Sequence, residues 1–247
     1  MIEDIITKES LIAINESLKN KVVAMGQHGT GNLLKIESKF YIVTCKHVAL
    51  EFNKSTIFKK VILKGNLRIP FERLNYLGDT DEEIDIAIYE IIGDLNNVAY
   101  YELNDFEIIS NFLTHEWGNT LFIFSGLPAT LVETVPKGYL LPPMRYLTML
   151  SKSKPQEKDF LYLEYNEGNV QENELNGENV VVPKPHGISG SFILTFPERY
   201  IKVDEIWEPS YLKIVALEHR YLKSGNYLKC SNIIHLFELM KKLKIID

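Results

Sequence analysis

Cysteine is nearly absent: in 247 residues only Cys45 and Cys230 occur. A secreted chain of this size would carry several disulfide pairs, so the count points to a reducing compartment, and a cytoplasmic location is expected. Positive charge is also in deficit. Lys and Arg number 27 against 33 Asp and Glu, a formal net charge of −6, which gives no basis for expecting a nucleic-acid partner. No uninterrupted apolar run approaches the roughly 20 residues that span a bilayer, so no membrane partner is expected. The first nine residues mix acids with apolar side chains and lack a signal-peptide core. His28, His115 and His235 lack the close spacing of metal ligands, and neither a metal nor a cofactor is expected.

What is present is enough apolar residue for a real core, 45% of the chain, with an ordinary globular charge content of 24%. Over residues 3–20, Leu11, Ile14 and Leu18 recur at helical spacing. From Val22 onward the texture changes to short β-like runs: Val22–Met25, Asn32–Ile36, Phe40–Thr44, Ile57–Leu63, Ile84–Ile91 and Leu121–Phe124. Phe160–Tyr165, Val180–Val182, Phe192–Phe196, Leu212–Leu217 and Tyr227–Cys230 follow. Turn signals such as Gly29-Thr30-Gly31, Gly65-Asn66 and Gly93-Asp94 separate them. Many short strands without long intervening helices predict a closed or sandwiched all-β core. Residues 134–158 and 166–179 read as loops, and Ile233–Leu243 reads as an amphipathic closing helix.

Three short segments carry chemistry. His47 follows the apolar run Phe40–Val43, where a strand reaches the rim of its sheet; imidazole there suits a general base, although an ordinary surface histidine fits equally well. Asp85 stands among Ile84, Ile86 and Ala87, where an unpaired carboxylate is costly to bury. It calls for a partner such as His47, unless it begins an edge strand and is solvated. Ser189 sits in Gly187-Ile188-Ser189-Gly190, a tight turn feeding Phe192-Ile193-Leu194. Such a turn can expose a hydroxyl and aim backbone N–H groups at one spot, or be merely a hairpin loop. It is not a nucleophile elbow, because Ser191 stands where that motif needs glycine and a strand follows where it needs a helix.

In the order His, Asp, Ser these segments resemble the chymotrypsin/trypsin-like peptidase superfamily, including its bacterial housekeeping and defence-associated members. Gly29-Thr30-Gly31-Asn32 resembles the family strand before the catalytic histidine. Thr44-Cys45-Lys46-His47-Val48 resembles the histidine motif, and Ile84-Asp85-Ile86-Ala87 the aspartate strand. Ser125-Gly126-Leu127-Pro128, Leu212–Leu217 and Gly225–Cys230 match later family strands and turns.

The resemblance covers roughly residues 22–245 and implies an all-β fold of two six-stranded antiparallel β-barrels, chymotrypsin-like, with an N-terminal and a C-terminal helix. The expected organisation is residues 1–20 as a helical appendage, 21–115 as the first barrel, and 116–247 as the second barrel with the closing helix. It implies a serine endopeptidase acting on a protein or peptide substrate: Ser189 as nucleophile, His47 as base and Asp85 as its orienting partner. The backbone N–H groups of Gly187 and Ser189 would form the oxyanion hole, and His186, Ala216, Leu217 and Glu218 would contact substrate. The alternative is a non-catalytic peptide- or protein-binding module on the same fold.

Two residues depart from the family pattern. Ser191 replaces a glycine, and Ile188 replaces the aspartate that pairs with a newly cleaved α-amine in digestive zymogens. Activation by that amine is therefore not expected, and an activating partner protein is the other route.

Overall fold

The computed structural model describes residues 8–18, 20–56, 59–63, 68–118, 120–129, 133–135, 138–140, 143–172, 179–196 and 209–247. The expected turn at Gly65-Asn66 and the helix before Lys8 lie outside them.

Helix α1 (Lys8–Leu18) turns Ile14 and Leu18 into the first apolar core. The first sheet comprises β1 (Val22–Met25), β2 (Gly29–Ile36), β3 (Lys39–Cys45), β4 (Lys60–Ile62), β5 (Arg68–Pro70), β6 (Leu74–Asp79) and β7 (Ile86–Ile91). Its spatial order is β5-β4-β1-β2-β3-β7-β6, with every pairing antiparallel. The two edge strands are consecutive in the chain, joined by a single 3₁₀ turn over Phe71–Arg73, so the sheet has to curl until its edges approach. This half counts seven strands where six were expected. A helix not read from sequence, α2 (Lys46–Lys54), follows β3 without a loop; its Val48, Ala49 and Phe52 lie at helical spacing and are all buried.

The second sheet comprises β8 (Phe122–Gly126), β11 (Met144–Thr148), β12 (Phe160–Glu164), β15 (Phe192–Thr195), β16 (Lys213–Leu222) and β17 (Tyr227–Asn232), in the order β11-β8-β15-β16-β17-β12. Its edges are drawn together by the Leu150–Leu163 bridge and by the Ser151 N–H to Tyr162 carbonyl bond of 2.8 Å. The segments read as loops hold β9 (Glu133–Val135) paired with β10 (Gly138–Leu140), the edge strand β11, and β13 (Val170–Glu172), which pairs with β14 (Asn179–Val181) on the run read from Val180. Helix α3 (Ile234–Lys242) follows β17. The expected double β-barrel with a helix near each end is therefore the architecture observed. Among the described residues no helix is long and apolar enough to cross a membrane.

The halves are tied together along residues 98–109. Tyr101 pairs with Leu34 of β2, and Phe106 pairs with Ile214 of β16. Phe192 places its ring edge-on to both, 5.3 Å from Tyr101 and 5.4 Å from Phe106. Helix α3 directs Leu236, Leu239 and Met240 into the first apolar core although it follows the second sheet. Burying side chains of this size contributes about 1.5–3 kcal/mol each, so the closing helix clamps the two halves.

Candidate active site

Strand register brings His47 and Asp85 together. Cys45, the last residue of β3, pairs with Ile86, the first of β7, so the residues just beyond them share one rim. The loop before β7 is tightly wound: the Asp81 carboxylate accepts the Glu83 and Ile84 amides at 2.9 Å each, and the Asp85 N–H donates to the Asp81 carbonyl at 3.0 Å. Lys46 bridges to the Asp79 carboxylate at 3.1 Å and donates to the Thr80 carbonyl at 3.0 Å. The outcome is a left-handed Asp85 (φ 61°), an uncommon conformation for a non-glycine residue. Such conformations persist where surrounding bonds over-determine them.

Asp85 is 4% exposed. One carboxylate oxygen accepts the His47 backbone N–H at 2.9 Å, and the other meets His47 Nδ1 at 2.6 Å. That second bond fixes the ring and leaves Nε2 as its other nitrogen, while the His47 side chain stays 49% exposed. A base held this way by a buried carboxylate is oriented for proton transfer.

The Ser189 loop belongs to the second half but is fastened to the first. Thr30 of β2 donates its hydroxyl to the Gly187 carbonyl at 2.7 Å and accepts the Leu127 amide at 3.0 Å; its own N–H donates to the Ser189 carbonyl at 2.8 Å. Buried Asn32 donates to the Gly190 carbonyl at 2.5 Å and accepts the Phe192 amide at 3.3 Å. Gly187 and Gly190 both adopt positive φ, 93° and 97°, and a Cβ on Gly190 would collide with the Thr30 carbonyl. Among the described residues, neither the Gly187 nor the Ser189 backbone N–H has an internal hydrogen-bond partner, as donors reserved for a ligand would. The loop also lies close to the histidine helix. A Cβ placed on Gly29 would sit 2.6 Å from Val48 Cγ2 and 2.8 Å from the Ser189 carbonyl oxygen, so one glycine separates the two. The Ser189 hydroxyl itself donates to the His219 carbonyl at 3.4 Å and makes no hydrogen bond to His47.

The two departures from the family pattern have structural explanations. Ser191 is fully buried and turns its hydroxyl back to the Ile188 carbonyl at 2.6 Å. Ile188 is fully buried within the second apolar core, so an apolar peg anchors the loop there.

The expected substrate contacts fare differently. His186 is exposed beside the loop. Ala216 and Leu217 are fully buried in the second and first apolar cores, so their side chains are not open to a substrate. Glu218 is fully buried too, and this corrects its expected place on the cleft wall. The alternation of a strand cannot show which face lies under a second sheet.

Glu218 is instead part of the interior of the site. Its N–H donates to the Ser191 carbonyl and its carbonyl accepts the Gly190 N–H, both at 2.8 Å; the same carbonyl accepts the Cys45 thiol at 3.1 Å. Among the described residues neither carboxyl oxygen has a hydrogen-bond partner. Burial first, and then Asp85, pushes this carboxyl up to about 8, with the Ser189 hydroxyl opposing. Burial pushes both the Cys45 and Cys230 thiols well up, and both are free and buried. Beside Glu218, His219 bonds to Ser231 Oγ at 2.8 Å, and burial lowers its imidazole to about 3. Cys45, His47 and Asp85 bring potential ligand atoms within 4.8 Å of one another, and the hydrogen bonds above account for the placement of all three.

Solved structures share this architecture. A serine endoprotease from Yersinia pestis aligns over 96% of this chain and 66% of its own, with a TM-score of 0.53 at 14% identity. The fold is that of a trypsin-like serine protease. An HtrA-type protease, AlgW, solved with a decapeptide, aligns over 87% of this chain and 51% of its own (TM-score 0.48, 14% identity). A structure concerning coupled folding and binding of the Sesbania mosaic virus VPg protein aligns over 88% and 87% (TM-score 0.48, 12% identity). This chain thus spans about half to two thirds of the two bacterial-type proteases it matches. No family model matches the sequence, and no curated protein does.

Proposed function

We propose that this trypsin-like chain is a serine endopeptidase that cleaves a protein or peptide partner through an acyl-enzyme. In this reading Ser189 attacks the scissile carbonyl, His47 takes and returns its proton, and Asp85 holds the imidazole. The Gly187 and Ser189 amides receive the oxyanion, a task in which one donor is typically worth about 10²–10³ in turnover. The observation that carries the proposal is the His47–Asp85 pair, joined by bonds of 2.9 and 2.6 Å in the half to which the Ser189 loop is fastened. In this reading the Ser189 hydroxyl turns from the His219 carbonyl toward His47 once substrate excludes water, a tightening common when a Michaelis complex forms.

Processing of the chain is not part of this mechanism, since Ile188 offers no carboxylate to a new α-amine and Thr30 and Asn32 already hold the loop. The test is a fluorophosphonate probe on the intact protein. Labelling lost in Ser189→Ala is the expected result, and labelling that starts only when a partner protein is added would place activation in that partner. The second reading, a non-catalytic peptide-binding module, rests on the Ser189 hydroxyl being turned to His219. Failure to label under any condition would favour it.

A further inference from the structure

We propose that Glu218 is a positioning residue that serves the site only as a neutral acid, and that its ionisation withdraws the nucleophile and sets an upper pH limit on activity. This rests on the peptidase reading above. Two buried carboxyl groups meet behind the Ser189 loop, and they are treated unequally. Asp85 receives two hydrogen bonds, both from His47. Among the described residues Glu218 receives none at either carboxyl oxygen, and the nearby Ser189 hydroxyl donates to the His219 carbonyl instead. A carboxylate supplied with donors ionises readily, and one without them, next to another anion, keeps its proton.

Among the described residues, the groups that act on Glu218 offer it no counter-charge. They are the Cys45 thiol at the end of β3, Asp85 before β7, the Ser189 hydroxyl in the loop, Cys230 opposite it on β17, and Tyr165 after β12. His219, the next residue on its own strand, is engaged with Ser231, and His47 is engaged with Asp85. Burial and Asp85 hold the Glu218 carboxyl at about 8, which places its ionisation just above neutrality.

The consequence follows from the hydroxyl it faces. As a neutral acid, Glu218 is a weak acceptor and leaves the Ser189 O–H free to turn toward His47. As a carboxylate it becomes the strongest acceptor near Ser189. It then binds the hydroxyl proton that His47 must take, and adds a second negative charge beside Asp85. No proton leaves the Ser189–His47 pair productively from that state.

The experiment is the rate of fluorophosphonate labelling from about pH 6 to about pH 10 for wild type and Glu218→Gln, whose amide keeps the shape and cannot ionise. Wild type should lose labelling about tenfold per pH unit above about 8, and the Gln variant, whatever its plateau rate, should show a level profile there. Infrared difference spectra provide the second readout. The carbonyl band of a protonated buried carboxylic acid should be present at neutral pH, fade on the same alkaline titration, and be missing from Glu218→Gln. An alkaline limb unchanged in Glu218→Gln, or no such band at neutral pH, overturns the proposal. If wild type takes no label at any pH, the peptidase reading falls and takes this role with it, while the band still reports where the proton sits. A Gln variant that fails to fold leaves the decision to the wild-type band and its titration.

Discussion

The two rims that face each other at the site are built in opposite ways. On the first, the partners come from the ends of two paired strands and the loop between them: Asp81 winds the loop, and Asp85 takes both His47 bonds. On the second, the Ser189 loop is fastened by Thr30 and Asn32, 157 to 160 positions away in sequence, and one carboxyl, Glu218, goes without partners. Strand register positions His47, whereas docking of one half on the other positions Ser189.

The largest effect that tests this contrast comes from the first rim. Asp85→Asn keeps the loop but removes the charge that orients His47, and should lower the labelling rate by about 10⁴-fold with a small change in melting temperature. A loss below tenfold would show that this rim does not act as the base.

Next comes the fastening of the second rim. Asn32→Ala leaves the Gly190 carbonyl and Phe192 amide unsatisfied in a buried place, and should cost about 2–3 kcal/mol in urea unfolding. Thr30→Val, nearly the same shape, should cost about 1–2 kcal/mol. It should slow labelling tenfold or more, roughly the penalty of a loop displaced by a fraction of an ångström. Equal loss of stability without any loss of labelling would mean that Thr30 braces the fold and leaves the nucleophile alone.

The smallest effect is a tilt of stability with pH from two neighbours on β16. The folded chain keeps a proton on Glu218, held at about 8 against the usual 4.5, which the unfolded chain releases; stability therefore falls as pH rises between those values. His219, lowered to about 3 from 6.5, refuses a proton that the unfolded chain accepts, so stability falls as pH drops through that range. Between 4.5 and 6.5 the two slopes cancel and the contribution is flat. Glu218→Gln should abolish the cancellation, so that unfolding in urea shows stability rising from about pH 5 to about pH 6.5, by at most tenfold in the folding constant per unit.

Much of this was legible in the chain because it is written locally. Short apolar runs between turn residues pointed to an all-β core, the family resemblance of the motifs pointed to the double barrel, and the residues flanking β3 and β7 pointed to His47 and Asp85 as a pair. The Ser189 turn showed itself through its glycines, and the positive φ at Gly187 and Gly190 is the reason they stand there. Helix α2 could have been found from the spacing of Val48, Ala49 and Phe52, but the apolar strand before it dominated that stretch. The short strands β9, β10 and β13, three residues each, carry too few side chains to show alternation among prolines, acids and asparagines, whereas β14 showed through its valines. Thr30 and Asn32 were visible only as members of a motif. Their partners lie in the other half, and no local pattern encodes a bond across that distance. Glu218 was misplaced for a related reason: its burial is created by the first half closing over β16, which a strand's own sequence does not record.

The long-range fastening of the Ser189 loop has a consequence for how the protein comes into being. A loop whose anchors are in place only when both halves have folded and met is the last part of the molecule to acquire its shape, because contacts so distant in sequence pay their closure entropy late. During synthesis the first half emerges before the loop it fastens, and its own core is completed only when α3 arrives. A full-length chain whose halves misdock has every residue of the candidate site and no fixed place for Ser189. On the proposed reading, activity is then a property of the finished assembly and of neither half alone.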